Sequence, residues 1–239
     1  MMEAFLYGVS LQWKLDIRSR TLLTTCYIVP LLFFVVMGGI FTSVMPGAEQ
    51  TLIQSMTVFG VTMGALIGLP PSLVEIYGGD IKKVYKANGV PLCLGLVLTT
   101  ISTLIHLFIM SILIYILAPL FFDAVIPQNP AVYFTSLVIF ILVSLGMACM
   151  IGLGVKEQAK TPMFSILIFL PSTMLSGIMF PVEMLPEAFK TAGRIFPASW
   201  GYRMMIQGDF SLENLWPLLL ILAVLAVVCI VLLKKVSRR

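Results

Sequence analysis

Six long apolar runs, covering residues 21–43, 51–73, 91–118, 131–154, 163–180 and 214–233, constrain this chain more than any other feature of its sequence. Each is long enough to cross about 30 Å of hydrocarbon as an α-helix, which takes roughly 20 residues. Charged residues make up 11% of the 239, and the mean hydropathy is +1.05, so no polar skin can be assembled around a water-soluble core. A backbone surrounded by lipid must satisfy its own hydrogen bonds, and an apolar run of this length does so as a helix. The expected fold is an all-α integral membrane protein with six transmembrane helices, in a single domain over 1–239.

Residues 1–20 precede the first run. Phe5, Val9, Trp13 and Ile17 stand four apart with Leu6 beside them, while Ser10, Lys14 and Asp16 are expected to turn away, the pattern of a helix lying along a membrane surface. Charged residues stand within this segment and no small-residue cleavage site follows, so a cleaved signal peptide is not expected.

The cations set the orientation. Segments 1–20, 75–90, 155–162 and 234–239 hold 12 of the 15 Lys and Arg, and segments 44–50, 119–130 and 181–213 hold the other 3. Short loops rich in Lys and Arg stay cytoplasmic, so six crossings place both termini in the cytoplasm. The acidic residues divide 5 to 6 and carry no such signal.

Small residues recur four apart within two runs, as Gly60, Gly64 and Gly68 and as Ser144, Ala148 and Gly152. That spacing strips one helix face and lets another helix approach closely, either within the chain or in a second copy. Two connections depart from ordinary loops. In 75–90, Ile81, Val84 and Tyr85 fall on one helical face and Lys82, Lys83 and Lys86 on the other, as in a short amphipathic helix parallel to the membrane. In 181–208, Pro181, Pro186 and Pro197 divide a moderately apolar stretch into pieces too short to span, read as two short re-entrant helices before the last span.

Several chemistries are excluded. No G-x-x-x-x-G-K-[ST] phosphate loop occurs, so the chain has no visible nucleotide site. His106 is the single histidine, inside the third run, which rules out a site needing two imidazoles and suits a hydrogen bond to a neighbouring helix. The four cysteines stand alone within apolar stretches and read as packing residues. Asp and Glu are almost absent from the runs, which argues against ion-coupled transport and against an intramembrane hydrolase, and no basic stripe suits a nucleic acid. No catalytic residue and no metal site is expected.

The segment Leu175-Ser176-Gly177-Ile178-Met179-Phe180-Pro181-Val182-Glu183-Met184-Leu185-Pro186, followed by Phe196-Pro197 and Arg203, resembles the SG-x-x-FP pattern of the ABC-2 membrane protein family, the permease subunits of type-2 ABC transporters. Glu75 and Gly79, followed by Pro91, resemble the E-x-x-x-G coupling element of that family, with Asp80 where Thr or Ser is more usual. The resemblance covers nearly the whole chain.

It implies an ATP-driven exporter of an amphipathic, lipid-like, drug or peptide substrate from the cytoplasm or inner leaflet. The chain itself would be no enzyme and would bind no cofactor, with ATP and magnesium held by a separate ABC ATPase subunit. A second permease copy and membrane lipid complete the expected partners, in the cell (cytoplasmic) membrane. By carry-over, Glu75, Gly79, Asp80, Lys83 and Val84 receive force from the ATPase, and residues 4–17 form the connecting helix beside them. Ser176, Gly177, Phe180, Pro181, Pro186, Pro197 and Arg203 belong to the outer gate. Specificity is expected in the second and fifth spans. A non-transporting membrane scaffold or immunity protein, and an ion-coupled carrier or channel, are the rival readings.

Overall fold

The computed structural model describes residues 2–79, 81–208 and 212–238, and among them there is no strand. In chain order the helices are α1 (Met2–Arg18), α2 (Arg20–Val44), α3 (Leu52–Gly78), the short α4 (Ile81–Ala87), α5 (Cys93–Phe122), α6 (Pro130–Gly154), α7 (Thr161–Met174), α8 (Glu187–Gly193), α9 (Pro197–Gln207) and α10 (Leu212–Arg238). Among the described residues five of these, α2, α3, α5, α6 and α10, are long and apolar enough to cross a membrane.

The run expected as the fifth span, 163–180, is helical only in part. α7 has 14 residues and is about 21 Å long, short of the hydrocarbon thickness. It stops because Gly177 takes a left-handed φ of 89°, while the Ser176 hydroxyl donates to the Thr173 carbonyl at 2.9 Å and closes the last turn.

α2 and α3 each contain one widened, π-type turn, at Thr24–Ile28 and Gly64–Gly68. Pro30 follows the first, and Pro70 with Pro71 the second. A proline lacks the N–H that the helical ladder needs, and its ring meets the carbonyl four residues back, which the wider turn accommodates. The two turns face each other, with the Cys26 sulfur 3.9 Å from the Gly64 carbonyl oxygen.

α3 is the centre of the bundle and is enclosed nearly all round, by α2, α5, α6, α7 and α9. Phe59 stacks on Phe33 with ring centroids 3.8 Å apart and meets Phe169 edge-on at 5.6 Å. Thr57 and the buried Tyr133 of α6 share a hydrogen bond of 2.8 Å, so the Tyr hydroxyl is satisfied inside the core.

The small residues are used within the chain. A Cβ at Gly60 would fall 2.6 Å from Met110 Cε, one at Gly64 would strike Leu107, and one at Gly68 would lie 2.9 Å from the Thr25 hydroxyl. On α6, Ser144 and Ala148 are buried, and a Cβ at Gly152 would lie 2.7 Å from Leu73 Cβ. Gly39 differs, because the nearest atom to its missing Cβ is 3.9 Å away. Gly152→Leu is therefore expected to destabilise the protein by about 3 kcal/mol, and Gly39→Ala to be nearly neutral. Thermal unfolding of the two variants in the same detergent checks this.

α1 forms as expected, but its inward face differs. Steps of four residues drift by about 40° on a 3.6-residue helix, so Ile17 has left the face that starts at Phe5 while Asp16 lies on it. Asp16 is accordingly buried against α5 and Ile17 is exposed, the reverse of the expected arrangement. Ser102 Oγ donates to Asp16 Oδ2 at 2.5 Å and Gln12 Nε2 donates to Oδ1 at 2.9 Å. One turn further along α5, the Trp13 ring stacks on His106 with centroids 4.0 Å apart, and Tyr27 Oη lies 2.8 Å from His106 Nδ1.

Candidate functional site

Two regions contain the described coupling and outer-gate residues singled out from the sequence, one at each end of the bundle. At the end where α2 finishes and α3 begins, a cavity of about 900 Å³ opens. Phe41 of α2 and Met45 just beyond its end, Thr51 and Ser55 at the head of α3, the Gly177–Val182 turn, Trp200, Tyr202 and Arg203 of α9, and Asn214 and Trp216 of α10 line it, together with Arg194 and Glu213.

The proline-rich segment builds its wall. Each proline stands where a helical turn starts and the missing N–H costs nothing. Pro181 precedes the turn Val182–Met184, Pro186 precedes α8, and the buried Pro197 opens α9. Gly177 suits its position twice over, since its φ is left-handed and a Cβ there would lie 2.6 Å from Val182 Cγ2. Ser176 is buried and Phe180 is half exposed on the cavity rim.

The two short helices differ in depth. α9 packs against α3, α6 and α10, with Pro197, Ala198, Ser199, Gly201, Tyr202, Met204 and Met205 buried. α8 lies outside it, with Glu187, Ala188 and Phe189 exposed. Lys190 donates to Glu187 at 2.8 Å and holds that carboxyl below its usual range, but the pair is solvent-exposed and adds little stability.

Hydrogen bonds tie this wall to the spans. Ser199 Oγ donates to the Gly193 carbonyl at 2.6 Å, Trp200 Nε1 to the Arg194 carbonyl at 2.7 Å, and Ser55 Oγ to Tyr202 Oη at 3.1 Å. Arg203 lies over the Trp200 ring at 5.5 Å. The cavity thus offers aromatic and aliphatic surface beside two guanidinium groups and the Glu213 carboxyl.

Sequence reasoning missed Ser55, Ser199, Gly193 and Asn214, whose partners all lie on other elements. Gly193 is the most constrained of them, because a Cβ there would strike the Leu175 carbonyl oxygen. In the sequence it reads as an ordinary helix end.

At the opposite end lie α4 and the turn before it. Glu75 is exposed in the last turn of α3, and its carbonyl accepts the Gly79 N–H at 3.2 Å. A Cβ at Gly79 would sit 2.8 Å from that same oxygen, so the spacing of Glu75 and Gly79 is that of a helix-ending turn. Asp80 lies outside the described residues. Lys83 and Val84 are exposed on α4, as is Ile81, while Tyr85 is half-buried beside Gly95. Tyr77 Oη donates to the Leu92 carbonyl at 2.6 Å and accepts from the Leu96 N–H at 2.9 Å, which clamps the end of α3 to the start of α5. Lys86 Nζ reaches the Ser237 carbonyl at 2.6 Å, so α4 also touches the end of α10.

Of the two spans expected to carry specificity, α3 turns its side chains into the chain's own core, whereas α7 exposes Met163, Phe164, Ile166, Leu167, Leu170 and Met174. Among the described residues no group of His, Cys, Asp and Glu is placed to hold a metal ion.

Compared with known proteins, the chain matches the family model described as ABC-2 type transporter over residues 3–210. No curated protein matches it.

Proposed function

The chain belongs to the ABC-2 type transporter family and is a multi-pass membrane transport component; from that premise we propose that it is the permease subunit of an ATP-driven exporter for an amphipathic, lipid-like, drug or peptide substrate. A separate ABC ATPase supplies the energy, two permease copies pair, and the complex resides in the cell membrane with the termini in the cytoplasm.

The observation that carries this reading is the pairing of two sites at opposite ends of one bundle. α4 presents Lys83 and Val84 outward on the cation-rich side, and the amphipathic cavity opens at the other end. α4 is held to the bundle at both ends of its connection, by Tyr77 and through Lys86, which suits an element that receives force from a partner. α1 lies beside the start of α5 and serves as the connecting helix. The cavity is the exit, with α8, α9 and the Gly177 turn as its gate, and the exposed apolar strip of α7 is the surface the substrate meets.

The experiment that tests the reading is affinity purification from native membranes. A phosphate-loop ATPase and a second permease copy are expected to co-purify, and export is expected to stop when that ATPase is removed. Export that persists after loss of every candidate ATPase would refute the reading.

Orientation is tested separately with single cysteines in a cysteine-free background. Lys83→Cys, Lys160→Cys and Ser237→Cys, at exposed positions, are expected to escape an impermeant thiol reagent in intact cells, and the equally exposed Gln128→Cys to be labelled. Labelling of Lys83→Cys from outside would reverse the topology.

A further inference from the structure

Three charged side chains, Arg194, Arg203 and Glu213, line the large cavity, and the proposed export cycle leaves their ligand open. Among the described residues no salt bridge reaches any of them. Arg194 is exposed and within electrostatic reach of Glu187, but that carboxyl is already bonded by Lys190 at 2.8 Å. Arg203 is half-buried, with its guanidinium 5.5 Å from the centre of the Trp200 ring. Trp200 is itself fixed, since its Nε1 donates to the Arg194 carbonyl at 2.7 Å. An aromatic face under a guanidinium holds it in place and leaves the N–H groups at its edges free for an oxyanion. Glu213, exposed in the first turn of α10, brings a negative charge to the same cavity.

The depth of the cavity limits what can reach it. α2 ends at Val44, α3 begins at Leu52 and α10 begins at Leu212, and lining residues stand beside all three of these ends. Spans end where hydrocarbon gives way to headgroups, and Trp200 and Trp216 are of the residue type that concentrates at that level. Ile206 and Trp216 are exposed, so an apolar chain can leave the cavity along them into the bilayer. The volume of about 900 Å³ lies within the roughly 300–1,000 Å³ of small-molecule sites.

The three charges discriminate among headgroups. A purely anionic headgroup meets a like charge at Glu213, and a purely cationic one meets two, at Arg194 and Arg203. A headgroup with both a phosphate and an ammonium offers each side chain an opposite charge, and a planar guanidinium can bond two phosphate oxygens at once.

We infer that the cavity binds a lipid-like amphiphile whose headgroup carries a phosphate and a primary ammonium, with Arg203 and Arg194 on the phosphate and Glu213 on the ammonium. That this amphiphile is the cargo rests on the proposed reading of the cavity as the exit; the binding itself does not.

The test is titration of the full chain in detergent with lipids of one tail length, bound lipid being counted by native mass spectrometry. Dioctanoyl phosphatidylethanolamine carries both charges, dioctanoyl phosphatidylglycerol only the phosphate, and dioctanoylglycerol neither. Wild type is expected to bind the first about threefold more tightly than the second, and the third weakest. Inorganic phosphate at equal concentration should not displace them. Arg203→Gln should weaken both phospholipids about tenfold, and Arg203→Lys, which keeps a charge but not the planar fork, by less. Glu213→Gln should weaken phosphatidylethanolamine, strengthen phosphatidylglycerol and so remove the preference. Glu213 also suits the first turn of α10 through the helix dipole, but a role confined to helix stability would not change the order of the two headgroups. Equal binding of the two phospholipids by wild type, wild-type binding by Arg203→Gln, a preference unchanged in Glu213→Gln, or displacement by inorganic phosphate would each overturn the inference. In proteoliposomes with the ATPase, ATP-dependent movement of phosphatidylethanolamine is expected in wild type and is expected to be lost in Arg203→Gln. If binding follows the expected order but ATP moves no such lipid, the site stands and its role as the exit fails. If the order fails while another compound is exported at the expense of ATP, the exporter reading stands and this inference fails.

Discussion

A Val84→Pro variant is expected to insert, pair and reach normal levels in the membrane, yet to transport nothing and to recruit its ATPase weakly. α4 has only seven residues, and an isolated helix of that length has almost no stability of its own. Proline in a helix interior lacks the backbone donor and crowds the preceding turn, at a cost of about 3 kcal/mol or more. That cost corresponds to about two orders of magnitude in the ordered population of α4. The Val84 side chain is exposed, so the change leaves the core untouched, and any loss of function has to come from the loop. Transport normalised to the amount of protein in the membrane, with ATPase co-purification alongside, is the measurement. Normal transport by a well-expressed Val84→Pro protein would remove α4 from the coupling path.

The second large effect is expected at Gly193, where the obstacle is backbone. A side chain there meets the Leu175 carbonyl oxygen at the end of α7, while the Gly193 carbonyl is already engaged by Ser199 Oγ at 2.6 Å. A flexible neighbour would give way, but Leu175 is held by its own N–H bond to the Pro171 carbonyl at 3.0 Å. Gly193→Val must therefore push α8 and the head of α9 off the end of α7, at the upper end of the roughly 1–3 kcal/mol of overpacking or beyond. The spans fold without this contact, so the protein should still insert while the cavity wall opens and export is lost. Ala188→Val, on the exposed side of α8, is the matched control and should transport normally. Equal export by the two variants would show that closure of this wall does not matter to transport.

Much of the architecture was legible because the membrane makes it a matter of composition. An apolar run in lipid must be helical, so α2, α3, α5, α6 and α10 could be read from run length alone. The start of each piece of the outer segment was legible as well, since proline has few places to stand: Pro181, Pro186 and Pro197 each open a helical turn. The glycine and small-residue strips announced close helix approaches, although not which helix would approach.

What the sequence could not specify is which face of each helix turns inward. Periodicity ranks faces by polarity, and in a bundle surrounded by lipid the polar residue is often the one that packs inside, where it finds a partner. Asp16 went inward to meet Ser102, 86 residues away along the chain. Gly193 is constrained by Leu175, and Tyr202 by Ser55, through contacts that have no local signature. α7 was shortened by the left-handed turn at Gly177, which an apolar count cannot register. Run length, helical type and the cation asymmetry of the connections were therefore determined by the sequence itself, because they depend on each segment's own exchange between water and lipid. The buried face of α1, the enclosure of α3 and the wall of the cavity were decided only by the tertiary structure, because they depend on carbonyls, rings and hydroxyls brought together from distant parts of the chain.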